Sequence, residues 1–205
     1  MNKIINFLKN KIIPQPFFLF LVAFFRSYSK FGDLDKYINK MDFNAKSSLD
    51  LGCGSAISNP FNARELFGAD IMDIDVDNVY KCTLGIEELP FNDMKFDCIT
   101  AFDLIEHIPR VTYKDSEIVN PFVFLMDEIH RCLKKDGIFL SHTPAFPSPA
   151  VFQDPTHVNF ITHDTFEYYF CSPNLFAANY GFKGSFRLIK QGWSGHHLIT
   201  LLQKV

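Results

Sequence analysis

An apolar strand that runs directly into a glycine turn is the feature that most restricts the fold of this chain. The strand is predicted over Ser47–Leu51 and is followed at once by Gly52-Cys53-Gly54. Glycines at the carboxyl end of a strand let the backbone turn sharply and approach a ligand where any Cβ would collide. The pattern therefore predicts an α/β sheet that binds a ligand at this turn.

The rest of the chain alternates predicted strands with predicted helices. Further strands are predicted at Leu66–Asp70, Val79–Thr83, Phe96–Phe102 and Ile138–Ser141, and helices at Phe122–Leu133 and Thr165–Phe170. Two last strands are predicted at Gly184–Gln191 and His197–Gln203, separated by a turn from Gly192 to Gly195. This order predicts a mostly parallel sheet with helices on both faces and an antiparallel strand at its C-terminal end.

Charge and cysteine content restrict the class of protein and its compartment. The net charge of −3, without a basic stripe after residue 40, excludes a nucleic-acid-binding surface. The five cysteines are odd in number and lack metal-ligand spacing, which favours the reducing cytoplasm. Residues 1–40 carry seven Lys or Arg and two Asp, and are predicted to form a helical, aromatic-rich extension before a domain over residues 41–205.

The extension contains the apolar run Phe17–Phe25, preceded by three lysines. The run is too short to span a bilayer, and no small-residue cleavage site follows it. We expect it to be a helix that packs on the domain. The alternative is peripheral contact of residues 1–30 with the inner face of a membrane.

A second motif, which ends in an acidic residue, follows the glycine turn at a spacing that would let the acid bind the ribose of a nucleoside. Gly68-Ala69-Asp70 closes the second predicted strand, where a carboxylate can accept hydrogen bonds from both hydroxyls of a ribose. The segment LPFNDMKFD then leads into the fourth strand, which is followed by Asp103 and by Glu106-His107.

The motifs LDLGCG, GAD, LPFNDMKFD and EHIP, in this order and spacing, resemble the class I S-adenosylmethionine (SAM)-dependent methyltransferases. The resemblance implies a seven-stranded Rossmann-like sheet, SAM as the cofactor and S-adenosylhomocysteine as the product. It implies that Gly52 and Gly54 flank the methionine moiety, that Asp70 holds the ribose, and that Thr83 and Leu84 lie beside the adenine. The predicted cofactor-binding residues are Asp50, Gly52, Cys53, Gly54, Asp70, Thr83, Leu84 and Asp103.

Two departures from the family pattern affect this site. Thr83 stands where many members carry an acid that binds the adenine amino group. Pro60 follows Gly54 by six residues, and Asp70 comes soon after. The helix that usually follows the glycine loop is therefore predicted to be shortened or replaced by a loop.

Catalytic candidates lie in the segment after the fifth predicted strand, because α/β ligands bind at the carboxyl edge of the sheet. A base must take the proton of an alcohol acceptor, and histidine suits neutral pH. We predict His157 as this base, oriented by Asp154 or Asn159, with His142 as the second candidate. A histidine that only braces the loop remains the structural alternative.

The segments HIPRVTYKD, DPTHVNFIT and RLIKQGWSGHHLITLLQKV also resemble a bacterial group associated with surface-polysaccharide assembly. This resemblance implies a small-molecule or saccharide-type acceptor: a sugar, a nucleotide-activated sugar or a related phosphorylated precursor. Asn159 and Trp193 are the predicted substrate-binding residues, with Trp193 stacking on a ring of the acceptor. Packing of this tryptophan in the protein interior is the alternative.

Three rival interpretations stay open. An NAD(P)-dependent oxidoreductase shares the glycine turn and the ribose acid, but Ile57 stands where its third glycine would be. A non-catalytic SAM-binding partner of a surface-glycan enzyme is the second rival. We predict no metal, the alternative being a divalent ion on Asp103, Glu106 and His107, by resemblance to some quinone-related methyltransferases.

Overall fold

The computed structural model describes Ile38 and residues 43–205. The predictions for the N-terminal extension, including the run Phe17–Phe25, lie outside the described residues. Among the described residues, no helix is long and apolar enough to cross a membrane.

The described chain forms ten strands and three α-helices. The strands are β1 Ser47–Leu51, β2 Glu65–Asp70, β3 Val79–Lys81, β4 Phe96–Phe102, β5 Thr112–Lys114, β6 Glu117–Val119, β7 Leu133–Phe146, β8 Ile161–Thr162, β9 Phe186–Ser194 and β10 His197–Lys204. The helices are α1 Pro121–Cys132, α2 Ala150–Gln153 and α3 Thr165–Phe170, with 3-10 helices at Ile105–His107 and Phe176–Tyr180.

Seven strands follow one another across the main sheet in the order β3-β2-β1-β4-β7-β10-β9. Pairing is parallel from β3 to β7, and β10 runs antiparallel to both β7 and β9. The short β8 extends the sheet beside the end of β7, and β5 and β6 form a separate hairpin. The prediction of a Rossmann-like, mostly parallel sheet with an antiparallel C-terminal strand is confirmed.

The strand order reverses at β1, which lies between β2 and β4. In open α/β sheets the crevice for a ligand forms at such a point, outside the carboxyl ends of the strands. The glycine turn follows β1 and therefore lies at this crevice.

Strand β4 is mostly apolar, and its apolar side chains are buried on both faces of the sheet. Ile99 and Ala101 belong to one core cluster and Cys98 to the other, as the alternation of side chains along a strand requires. Helix α1 contributes Leu125, Met126 and Ile129 to the first cluster. Ile129 follows Met126 by three positions and Leu125 by four, so the three side chains form a single apolar stripe, which explains why α1 was predictable.

The second face is covered by the segment between β1 and β2 together with residues that precede β1. Phe61 and Ala63 pack there with Ala45 and Ile38. Residues 52–64 contain no helix, which confirms the prediction that the helix usual after the glycine loop is shortened or replaced by a loop. The loop is held by Asn59, whose side chain accepts a hydrogen bond from the Ala63 amide at 2.8 Å and donates one to the Ala63 carbonyl at 3.0 Å.

Three predicted boundaries were wrong. Strand β3 ends at Lys81 rather than Thr83, and β7 is much longer than the predicted Ile138–Ser141. Trp193 was predicted in a turn but lies within β9, because β9 stays paired with β10 as far as the Ser194–His197 pair. The connecting turn consists of Gly195 and His196.

We expect Phe96→Ala to destabilise the domain by about 3–5 kcal/mol, because it leaves a cavity in the core. The Phe96 ring is fully buried, with the rings of Phe67 and Phe91 at 5.6 and 5.0 Å between centroids. The control Tyr113→Ala removes a ring that is 73% exposed, and its effect should stay within about 0.5 kcal/mol. Urea unfolding measures both, and equal losses would contradict the assigned core.

Candidate functional site

The glycine loop after β1 leaves its backbone uncovered by other protein atoms at Gly54. Gly52 and Gly54 have φ angles of +68° and +53°, a conformation that L side chains rarely adopt. A Cβ added at Gly54 would meet no protein atom within 4 Å. A Cβ added at Gly52 would lie 3.0 Å from the Leu104 side chain. The loop is thus open at Gly54 and packs at Gly52 against the residues that follow β4.

Two buried carboxylates hold this loop in place. Asp50 accepts hydrogen bonds from the Thr100 hydroxyl at 2.7 Å and from the Ser58 amide at 2.8 Å. Burial raises the pKa of Asp50. Asp70 accepts a hydrogen bond from the Gly54 amide at 2.9 Å through Oδ2, and another from the Met72 amide at 2.9 Å through Oδ1. Each Asp70 oxygen keeps a second lone pair, so the carboxylate lies beside the loop with acceptor capacity left.

Cys53 packs beneath the loop rather than acting as a nucleophile. Its side chain is buried, and burial raises the pKa of its thiol to about 11. The thiol therefore stays protonated at neutral pH. A Cβ on Gly68 would lie only 2.5 Å from the Cys53 sulfur, so the neighbouring strand needs glycine at that position.

The predicted adenine side lies in a tight turn after β3. The Thr83 carbonyl accepts hydrogen bonds from the amides of Ile86 and Glu87, and Leu84 forms an isolated bridge with Glu87. The Glu87 carboxylate in turn accepts a hydrogen bond from the Thr83 amide at 2.6 Å, which lowers the pKa of Glu87. Glu87 thus supplies an exposed carboxylate beside Thr83 that sequence reasoning missed.

Asp103, His142 and His197 meet at the carboxyl edge of the sheet. Asp103 follows β4 with φ of +48°, and its amide donates to the His142 carbonyl at 2.9 Å. The Asp103 carboxylate lies 2.8 Å from Nε2 of His197 and 3.9 Å from Nδ1 of His142. The two imidazole rings stack with centroids 4.2 Å apart and planes 12° apart.

In this arrangement the pKa of His197 is raised and the pKa of His142 is lowered. The hydrogen bond from His197 lowers the pKa of Asp103, and the same bond raises the pKa of His197. Burial lowers the pKa of His142, as does the charge of His197 when that ring is protonated. A proton that reaches this group is therefore held by His197, while His142 stays neutral.

Glu106, His107 and His157 form a second group close to the first. Glu106 is 1% exposed and accepts a hydrogen bond from the Thr143 hydroxyl at 2.7 Å. The rings of His107 and His157 meet edge to face, with centroids 4.8 Å apart. Val158 donates its backbone amide to the Glu106 carbonyl at 2.9 Å, which ties the loop after α2 to this group.

The predicted orientation of His157 by Asp154 or Asn159 was wrong. Nδ1 of His157 lies 3.1 Å from the Ala150 carbonyl and 3.3 Å from the Val151 carbonyl. The Asp154 carboxylate instead accepts hydrogen bonds from the hydroxyl and the amide of Thr156. The short helix α2 brings its carbonyls to the ring, which the sequence pattern did not show.

Asn159 and Trp193 were predicted to contact the substrate, but both side chains are almost fully buried. Asn159 is 1% exposed; its amide donates to the Ile105 carbonyl at 3.0 Å and accepts from Nε of Arg110 at 2.9 Å. It therefore positions Arg110. Trp193 is 2% exposed and belongs to the core, which leaves its ring no free face for a sugar.

An open cavity of about 360 Å³ lies beside Arg110. Its lining combines aromatic rings with amide and hydroxyl groups, among them Asn120, Phe160, Thr162 and Tyr169. A larger cavity of about 750 Å³ lies along α1, lined by residues such as Lys114 and Arg131. Neither cavity is lined by residues of the glycine loop.

His197 and Arg110 are, besides Glu87, the site residues that sequence reasoning missed. The signal for His197 was its place at the start of the last predicted strand. An antiparallel strand next to the fifth strand brings its first residue to the carboxyl edge of the sheet. Arg110 carried no comparable signal, because Asn159 holds it in place from a distant part of the sequence.

Residues 25–175 match the family model described as a methyltransferase domain. The chain belongs to this family. SAM is accordingly the cofactor of this methyltransferase, as the sequence motifs predicted, and the NAD(P)-dependent oxidoreductase alternative is set aside. The bare surface at Gly54 and the remaining acceptor capacity of Asp70 fit such a cofactor.

Solved structures share the fold at low sequence identity. A SAM-dependent methyltransferase of Archaeoglobus fulgidus is 16% identical with a TM-score of 0.52, covering 84% of this chain and 91% of its own. A chain from the complex of the Haloferax volcanii Trm112 methyltransferase activator with a protein assigned as a methyltransferase is 13% identical with a TM-score of 0.54, covering 82% and 87%.

The [4+2]-cyclase SpnF is another neighbour, 15% identical with a TM-score of 0.51, covering 83% of this chain and 79% of its own. At such identities the likeness concerns the fold alone. No protein of curated function matches this methyltransferase in sequence.

We expect Asp70→Ala to weaken the binding of S-adenosylhomocysteine by roughly tenfold or more, because hydrogen bonds to a charged group are lost. Isothermal titration calorimetry measures this affinity. The exposed Asp77, in the loop after β2, supplies the control Asp77→Ala, which should bind like the parent protein. Unchanged affinity in Asp70→Ala with a loss in Asp73→Ala would move the ribose contact to Asp73.

Proposed function

We propose that this methyltransferase methylates a hydroxyl group of a sugar, a nucleotide-activated sugar or a related phosphorylated precursor of surface polysaccharide. The hydrogen bond between Asp103 and His197 at the edge of the sheet carries the proposal of O-methylation. It lies next to the glycine loop, because Leu104, which follows Asp103, packs against Gly52.

A proton must leave an alcohol that accepts a methyl group, and His197 is placed to take it. The carboxylate of Asp103 can only accept, so Nε2 of His197 donates to it and Nδ1 keeps its lone pair. When bound, SAM would supply a methyl group to the acceptor oxygen and would leave as S-adenosylhomocysteine. Nδ1 of His197 would take the proton that the acceptor oxygen loses, and Asp103 would stabilise the imidazolium that forms.

His197 is favoured over the two bases proposed from the sequence. His142 stacks on His197, and burial keeps it neutral, but its Nδ1 lies 3.9 Å from Asp103, beyond hydrogen-bond distance. Nδ1 of His157 faces two backbone carbonyls, so its ring is not oriented by a carboxylate hydrogen bond as the ring of His197 is. We assign His142 the role of holding the His197 ring in plane.

The cofactor contacts proposed from the family resemblance are consistent with this location. The methionine moiety would lie along the loop of Gly52, Cys53 and Gly54, braced from below by Asp50. Asp70 would hold the ribose and the turn at Thr83-Leu84 would face the adenine. Asp103 would then lie between the cofactor and the acceptor.

We expect the kcat of the parent enzyme to fall as the pH drops below the pKa of His197, because only the neutral ring accepts a proton. Asp103 raises this pKa, so the acidic limb should lie above the ordinary histidine value of about 6.5. The charged groups around His197 are Asp103, Glu106 and His142. In Asp103→Asn the limb should move to lower pH, and in His197→Gln it should vanish with a loss of about two to four orders of magnitude in kcat.

The matched variants are His142→Gln and His157→Gln, which should both keep the acidic limb even where their rates fall. Affinity for S-adenosylhomocysteine is measured in each variant, to separate loss of the base from loss of the site. An acidic limb that persists in His197→Gln and disappears in His157→Gln would return the role of base to His157.

The cavity beside Arg110 supports a phosphorylated, saccharide-type acceptor. Arg110 is exposed, and its guanidinium donates to the Asn159 side chain and the Phe160 carbonyl, which orients it while leaving further N–H donors for an anion. Tyr169 and Phe160 supply aromatic rings at the same cavity. These features suit a sugar ring that carries a phosphate group.

We expect Arg110→Gln to raise the KM for a nucleotide-activated sugar by roughly tenfold or more, because an N–H donor pair to phosphate is lost. The KM for the matching free sugar should change little. Release of S-adenosylhomocysteine over a panel of sugars and nucleotide sugars measures both. A panel without turnover, or an equal rise for charged and uncharged acceptors, would contradict the acceptor class.

We also propose that the reaction occurs in the cytoplasm. All five cysteines are unpaired and buried, which fits a reducing compartment. Contact of residues 1–30 with the inner face of the membrane would bring the enzyme to membrane-bound precursors.

A further inference from the structure

We infer that Glu106, His107 and His157 bind a divalent transition-metal ion. One potential ligand atom from each residue lies within 4.8 Å of the other two. The three residues come from the 3-10 helix after β4 and from the loop after α2, so the fold and not a local motif brings them together. The sequence predicted no metal, and its alternative set placed Asp103 beside Glu106 and His107; here Asp103 is engaged by His197 instead.

The relative orientation of the rings distinguishes this group from the one at Asp103. The rings of His107 and His157 meet at 77°, so in-plane lone pairs from both can point toward one ion. The rings of His142 and His197 stack at 12°, and lone pairs in parallel planes cannot converge in the same way. Both groups of potential ligands lie close enough to share an ion, and the ring orientation favours the group of Glu106, His107 and His157.

Hydrogen bonds fix the tautomer of both histidines. The Thr156 hydroxyl donates its hydrogen to Asp154 at 2.6 Å, so at 3.1 Å from Nδ1 of His107 it can only accept. The carbonyls that face Nδ1 of His157 also can only accept. Both rings therefore carry hydrogen on Nδ1 and leave Nε2 as the free ligand atom. Histidines that bind metals are oriented in this way by oxygen acceptors.

Glu106 supplies a buried carboxyl group that has no lysine or arginine partner among the described residues. It is 1% exposed and bonds the neutral hydroxyl of Thr143. Within residues 43–205, no lysine or arginine forms an ion pair with it. A carboxylate that stays charged in such a place is normally paired or bound to a metal.

The ligand chemistry selects the class of metal. Two imidazoles and one carboxylate suit zinc, manganese, iron or cobalt, whereas calcium and magnesium prefer oxygen ligands throughout. Three protein ligands also leave positions for water or for an oxygen of a substrate. The side chain of Asn159 holds Arg110 beside the smaller cavity, and its backbone amide donates to the Glu106 carbonyl at 2.9 Å. The ion would thus lie next to the proposed acceptor cavity.

Metal binding is tested on the full chain without a histidine tag, after removal of metal with a chelator. Titration with Co²⁺, followed by its visible absorption and by calorimetry, should show one ion bound per chain and a raised melting temperature. His107→Gln and His157→Gln should each weaken Co²⁺ binding by at least about tenfold. Thr156→Val, which removes only the orienting hydroxyl, should weaken it by about ten- to a hundredfold.

The control is His197→Gln, which removes a histidine from the stacked group and should leave the affinity for Co²⁺ unchanged. The Co²⁺ affinity of Glu106→Gln is measured together with its melting temperature, which shows whether the variant is folded. If it does not fold, the Co²⁺ affinities of His107→Gln and His157→Gln decide whether the site exists. The absence of Co²⁺ binding by the parent protein would overturn the inference. So would binding that survives His107→Gln and His157→Gln, or that is lost in His197→Gln alone.

Discussion

The loop that replaces the usual helix after β1 is the constraint on which the rest of the site depends. A helix at this place would satisfy its own amides and present its N-terminus to the ligand. Here the backbone amides of the loop need side chains as hydrogen-bond acceptors, and two carboxylates at strand ends accept from two of them. Asp50 joins the neighbouring strand to the loop at Ser58, and Asp70 holds the amide of Gly54. Because both lie beneath the glycine turn, they shape the surface that a cofactor meets.

The parts of the fold that could be predicted are those in which the spacing of apolar residues along the sequence matches the pattern of buried side chains. Strand β4 was predicted to the residue because its apolar run is covered on both faces, and α1 because its apolar residues recur along one stripe. Trp193 was misplaced because two glycines around it resemble a turn, whereas pairing with β10 keeps it in a strand. The residues predicted to bind the cofactor follow a local motif, but the link between Asp103 and His197 depends on the pairing of β10 with β7, which no local pattern records.

Four histidines near one sheet edge illustrate how geometry, rather than composition, divides chemical roles. The stacked pair His142 and His197 shares one carboxylate and favours a single proton on one ring. The pair His107 and His157 meets edge to face and leaves two nitrogen lone pairs free. From the sequence alone, His157 and His142 were the candidate bases, and nothing in the pattern separated their roles from those of His107 and His197. Proton chemistry and metal binding can therefore lie side by side without competing for the same ring nitrogens.

The position of β10 links the chemistry of this protein to the way it folds. This strand follows β9 along the chain, yet it lies between β7 and β9 in the sheet, and it begins with His197. Contacts between residues so far apart in sequence form late, because the entropy of closing a long loop must be met first. Until β10 has paired with β7, the glycine loop and Asp103 lack the imidazole partner that the last strand brings. The charged group at the sheet edge is therefore completed only by the part of the chain that is farthest from the glycine loop in sequence.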